Sequence, residues 1–145
     1  MKLPVSLLVV VLLIHVVIAA DDVTFEELTS FITNQPSSAA TLVTFHSTSC
    51  RFCIQWMPEI PDLEAMLLNS EQTEKVIVLS VNVKKPANKP AINQFRLTGV
   101  PSVLLFHDGR IDKFSGHRSA KTVSEWTRDL LSGSTERASA ESIGL

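Results

Sequence analysis

The stretch Thr41-Leu42-Val43-Thr44-Phe45-His46-Ser47-Thr48-Ser49-Cys50-Arg51-Phe52-Cys53 decides the fold. Its first half carries Leu42, Val43 and Phe45, a short apolar run that reads as a buried strand. Ser47-Thr48-Ser49 is a polar loop leading into Cys50. From Arg51 to about Asn69 the apolar residues fall at Ile54, Met57, Leu63, Met66 and Leu67. That spacing predicts a long helix, and Pro58 and Pro61 must bend or break it because proline lacks the N–H that a helix interior needs. Cys50 and Cys53 therefore stand at a strand-to-helix junction. A thiolate there meets unpaired backbone N–H groups and the positive end of the helix dipole. Its pKa should fall below the free value of about 8.5. Cys50, at the exposed turn, is the expected nucleophile. Cys53, one turn deeper, is placed to resolve a mixed disulfide. Arg51 adds a positive charge beside them.

Outward from this stretch the chain alternates helices and strands. Thr24 and Glu27 form a capping box, and Phe25, Leu28, Phe31 and Ile32 recur at helical spacing. This predicts a helix from Phe25 to about Asn34, stopped by Pro36. Downstream, Val76 to Val83 is β-branched and reads as a core strand. Lys84 to Lys89 is a basic loop, and Pro90 suits the first turn of a short helix reaching about Leu97, with Asn88 near its cap. Ser102 to Phe106 is a further strand. Asp108-Gly109 signals a hairpin whose second arm is Ile111 to Phe114. Ser119 caps a last helix carrying Val123, Trp126 and Leu130 on one face, and Gly133 should end it. Trp56 and Trp126 read as packing residues. This order predicts an α/β fold with a central mixed β-sheet flanked by helices.

The chain has 145 residues, 45% hydrophobic and 19% charged, which fits one domain with a real core. A net charge of −2 leaves no footprint for nucleic acid. There are two cysteines, Cys50 and Cys53, and a bridge between such near neighbours closes too small a loop to staple a fold. Their pairing reads as chemistry instead. Zinc would need four ligands, and His46, His107 and His117 form no second spaced pair, so neither metal nor cofactor is expected. Lys2, the apolar run Leu7 to Ile14, and Ala19-Ala20 before Asp21-Asp22 have the layout of a secretory signal peptide cut near Ala20. An uncleaved anchor is the alternative, since Pro4 to Ala20 sits at the short edge of a membrane span. The expected division is a signal peptide at 1–20, one domain at 21–132 and a disordered tail at 133–145. The compartment is then oxidising, either the endoplasmic reticulum lumen or outside the cell. The ending Ser142-Ile143-Gly144-Leu145 is not a retrieval tetrapeptide.

Three segments together resemble the thioredoxin and protein disulfide isomerase family. They are Leu42 to Phe45 with Cys50-Arg51-Phe52-Cys53, then Pro58, and Thr98-Gly99-Val100-Pro101-Ser102-Val103-Leu104-Leu105-Phe106 followed by Asp108-Gly109. The resemblance covers roughly Phe25 to Leu131. It implies a thioredoxin-like fold, protein thiols and disulfides as partners, membrane contact only through the leader, and a monomer. It implies that Pro101 is a cis proline beside the disulfide and that the backbone of Val100 pairs with an extended substrate. Arg51 and Phe52 stand where family members tune the redox potential, usually with Gly-Pro or Gly-His. Other departures go further. Ser49 replaces a tryptophan, Thr44 a buried acid and Ser80 its lysine partner, and only Asp21 to Thr24 remain of the first strand. A hydroxyl cannot serve as a carboxylate base near neutral pH.

Two functions follow from these residues. One is an enzyme that exchanges disulfides with protein substrates through Cys50 and Cys53. The other is a binding or chaperone-like module on the same fold with a weakly active cysteine pair, suggested by Thr44, Ser49 and Ser80.

Overall fold

The computed structural model describes residues 22–70 and 74–143; the expected leader lies outside the described residues. Helix α1 (Phe25–Asn34) starts where the sequence predicts. Thr24 Oγ1 accepts from the Glu27 N–H at 3.1 Å while Glu27 Oε2 accepts from the Thr24 N–H at 2.7 Å. Strand β1 (Ala39–His46) is buried along its whole length. It pairs in parallel with β2 (Lys75–Asn82) and antiparallel with β3 (Ser102–His107), which in turn pairs with β4 (Arg110–Lys113). The sheet order is β2-β1-β3-β4.

Alternation along the strands builds two cores. Ala40 and Leu42 of β1 and Val103 and Leu105 of β3 face one side, packed by Trp56, Ile60, Leu63 and Val123. Val43, Phe45, Leu104 and Phe106 face the other, packed by Leu28 and Ala91. By the same period of two, Thr44 and His46 point to the first side.

The long helix breaks as its prolines require. It is split into α2 (Arg51–Trp56), a tight turn at Met57–Glu59 holding Pro58, and α3 (Ile60–Leu68), with Pro61 in the first turn where a missing N–H costs nothing. Helix α4 (Pro90–Gln94) stops short of Leu97, because Arg96 takes a left-handed φ of 49° that no helix continues through. Asn88 is fully buried, and it ties two elements together. It accepts from the Phe25 N–H at 2.8 Å and donates to the Asn82 carbonyl at 3.0 Å. At the hairpin, Asp108 and Gly109 both have positive φ, 47° and 68°, as a type I′ turn requires.

The missing first strand is reduced to one parallel bridge between Asp22 and Ser80. Helix α5 (Ala120–Ile143) departs from expectation at its far end. Ser119 Oγ caps its start by accepting from the Thr122 N–H at 3.1 Å, but Gly133 does not stop it. Gly133 has no left-handed φ, and a glycine inside a helix costs only about 1 kcal/mol. Good helix formers on both sides, Leu130-Leu131 and Glu136-Arg137-Ala138, outweigh that cost, and the backbone of 134–143 is helical where an irregular tail was expected. Among the described residues no helix is long and apolar enough to cross a membrane.

Candidate active site

Strand β1 ends at His46 and the chain turns through Ser47 to Ser49. The Cys50 N–H donates to the Ser47 carbonyl at 3.2 Å, and Ser47 Oγ and Ser49 Oγ lie 3.1 Å apart, which closes the turn. Cys50 is the N-cap of α2, with extended φ and ψ of −94° and 119°. Its sulfur accepts from the Cys53 N–H at 3.3 Å, so the thiol does what a serine or aspartate cap would do. The same sulfur donates to the Val100 carbonyl at 3.4 Å. The Val100–Pro101 peptide bond is cis. Both cysteines are free thiols; Cys53 is 1% exposed and Cys50 partly so.

These surroundings push the two thiols apart. Burial opposes ionisation of Cys50, but the Cys53 thiol, the N–H groups of Cys53 and Phe52, and the Arg118 guanidinium outweigh it and hold its pKa below the ordinary value. Burial pushes Cys53 up to about 11, and its hydrogen bond to Cys50 and the Cys50 charge add to that, against the Ser47 N–H and Arg118. One proton is easily lost and the other is firmly held.

Arg51, Phe52 and Ile54 are exposed around the cysteines, Phe52 by 66% and Ile54 by 64%. The cation whose charge reaches both thiols is Arg118, not Arg51. Arg118 arrives from the turn before α5, far along the chain, with no local motif to announce it. It lines a groove of about 390 Å³ beside Phe52, Trp56, Glu59, Pro101 and His117. Glu59 holds that turn in place by accepting from the Ala120 N–H at 2.9 Å. No three metal-binding side chains converge among the described residues.

The thioredoxin family model matches residues 17–129. The chain belongs to the thioredoxin family. Protein disulfide-isomerase A2 of Pongo abelii is 29% identical over 105 residues, 70% of this chain and 19% of that protein. The human protein of the same name is 28% identical over the same shares. The chain thus spans about a fifth of the length of these relatives. The first thioredoxin domain of mouse protein disulfide-isomerase A4 superposes with a TM-score of 0.63 at 16% identity, covering 74% of this chain and 72% of that one. Human ERp44 gives 0.62 at 20% identity, covering 75% and 32%.

This thioredoxin-family chain fills the two positions expected to be uncharged in its own way. Thr44 Oγ1 accepts from the buried Trp56 indole N–H at 3.2 Å. Ser80 Oγ donates to Asp22 Oδ1 at 2.8 Å, and the same oxygen lies 2.6 Å from His46 Nε2. Lys85 Nζ stands 3.6 Å from the other Asp22 oxygen. Burial resists the charge on Asp22, yet the bonds from His46 and Ser80 and the charges of His46 and Lys85 hold its pKa below the usual range. Sequence reasoning left Asp22 as part of a cut site and gave His46 no task.

Proposed function

We propose that this protein is a thiol–disulfide oxidoreductase acting on protein substrates in the secretory pathway. The observation that carries the reading is the split dithiol: Cys50 is favoured as thiolate at a helix N-terminus and Cys53 is held as thiol beneath it. Exchange needs that asymmetry, a thiolate to attack and a protected second thiol to resolve. Cys50 is the nucleophile, Cys53 the resolving thiol, Arg51 and Phe52, exposed beside them, shape access, and the charge of Arg118 bears on the potential. The backbone of Val100 beside Pro101 offers an extended substrate its pairing groups. The leader at 1–20 supports entry into the secretory pathway.

Equilibration of Cys50 and Cys53 against glutathione tests the reading. A potential near about −270 mV makes the protein a reductant, and about −180 mV or above an oxidase or isomerase. Cys50→Ser should abolish exchange and Cys53→Ser should trap mixed disulfides. If the pair never equilibrates and partner binding survives loss of both cysteines, the protein is a binding module, the reading that Thr44 favours by withholding a buried carboxylate.

A further inference from the structure

The groove of about 390 Å³ beside the cysteines holds a cation without a carboxylate partner. Phe52 and Trp56 of α2, Pro101 and Arg118 line it. Arg118 Nε is buried and has no hydrogen-bond partner among the described residues. No ion pair among the described residues includes Arg118. Glu59 is the carboxylate in the groove wall, and its Oε2 is turned to the Ala120 N–H, from which it accepts at 2.9 Å. A half-buried guanidinium with an unfilled donor is costly to leave so, and its planar fork matches a carboxylate. Phe52, 66% exposed, lends the groove an apolar wall, which thins out water and strengthens an ion pair formed there. The groove also adjoins the place where an extended substrate would pair. Cys50 Sγ donates to the Val100 carbonyl at 3.4 Å, and Pro101, the next residue, belongs to the groove wall.

We propose that Arg118 is a specificity-determining residue of this site, and that the substrates it selects carry an aspartate or glutamate two residues from the reacting cysteine. This rests on the oxidoreductase reading above and names its substrate class. A substrate strand paired with Val100 sets its cysteine against Cys50. Residues two positions apart on such a strand share a face and stand about 6–7 Å apart. The next side chain on the cysteine's face therefore enters the groove, and its carboxylate takes the free donors of Arg118. The charge of Arg118 also reaches both thiols, but that effect is the same for every substrate. Recognition of a carboxylate separates one substrate from another.

The test compares two short peptides, each oxidised to its symmetric disulfide. They differ only in carrying Glu or Gln two positions before and two positions after the cysteine. The Cys50 thiolate of the reduced protein bonds to one peptide sulfur, and the other leaves as a thiolate. Cys53 then gives its proton to water and bonds to Cys50, and the second peptide sulfur leaves as a thiolate. The peptides are reduced and the cysteine pair is oxidised. Released thiols are counted after acid quench, and each rate is divided by that of dithiothreitol with the same peptide, which removes the peptide's own reactivity. The Glu peptide should react about five- to tenfold faster at low salt, and the preference should fade as salt rises to about 0.5 M. Arg118→Gln should bring the Glu-to-Gln ratio to one, and because both peptides meet the same thiols the ratio is blind to any change in thiol pKa. If that variant does not fold, the salt dependence of the wild-type ratio carries the test. A wild-type ratio of one, or a preference that survives Arg118→Gln or high salt, overturns the proposal. A wild-type protein that reduces neither peptide overturns the oxidoreductase reading itself.

Discussion

Two buried histidines sit on the same face of the sheet, at opposite ends. His46 closes β1 and His107 closes β3, and because those strands are antiparallel the residues point to opposite poles. Each offers Nε2 to a carboxylate, His46 to Asp22 at 2.6 Å and His107 to Asp112 at 2.8 Å. Their surroundings differ. His46 leads directly into the cysteine turn. His107 leads into the hairpin, where its Nδ1 is buried without a hydrogen-bond partner among the described residues and Asp108 Oδ2 stands 4.0 Å away. Glu74 lies nearby, pushed up by burial and then by the charge of Asp108. The far pole has more carboxylates around its histidine. A histidine–carboxylate pair thus clasps β1 to the segment before α1 at one pole and closes the β3–β4 hairpin at the other.

The sharpest way to break that contrast is His107→Ala. It removes a bond to a charged group and leaves a cavity, and should cost about 2–3 kcal/mol in urea unfolding. Disulfide exchange per folded molecule should stay unchanged; a loss of exchange would mean the two poles are coupled.

The next effect belongs to the reduced active-site pole. Cys53 has a pKa near 11 in the folded protein against an ordinary 9.0. The folded state holds the proton longer than the unfolded chain does. Its stabilisation is complete below about pH 9 and is lost as pH rises toward 11, with a slope of at most about 1.4 kcal/mol per pH unit. Unfolding of the reduced protein at stepped alkaline pH should show this fall, and Cys53→Ala should flatten it.

Trp56→Phe removes the N–H that satisfies Thr44 and should cost about 1 kcal/mol while exchange persists. A large loss of exchange would give Thr44 and Trp56 a role beyond packing. The smallest effect lies outside both poles. A Cβ at Gly133 meets nothing within 4 Å, so Gly133→Ala should stabilise the protein by about 0.5–1 kcal/mol in thermal unfolding. Destabilisation would mean that α5 does not run through that position.

The fold was legible wherever local chemistry and periodicity agreed. Thr24 with Glu27, Asp108-Gly109, and the prolines at 58 and 61 each act through their immediate neighbours, and each marks a boundary in the structure. Cys50 at a helix N-terminus was legible for the same reason. Gly133 misled because a single unfavourable residue was weighed without the helix formers around it. Arg118, Asp22 and His46 were hidden because their partners are distant in sequence. Nothing in Gly116-His117-Arg118 says that it returns to the cysteines, and nothing in Asp22 says that one bridge to Ser80 will set its carboxylate against His46.

Strand β1 is central in the sheet, buried at every residue and bonded on both sides. Its amides, Val43 and Phe45 among them, should be the slowest in the molecule to exchange with deuterium, since they open only when the whole sheet does. Cys50 hangs four residues beyond that strand's end. The Cys50 sulfur is therefore moored, on its N-terminal side, to the last part of the protein to come apart.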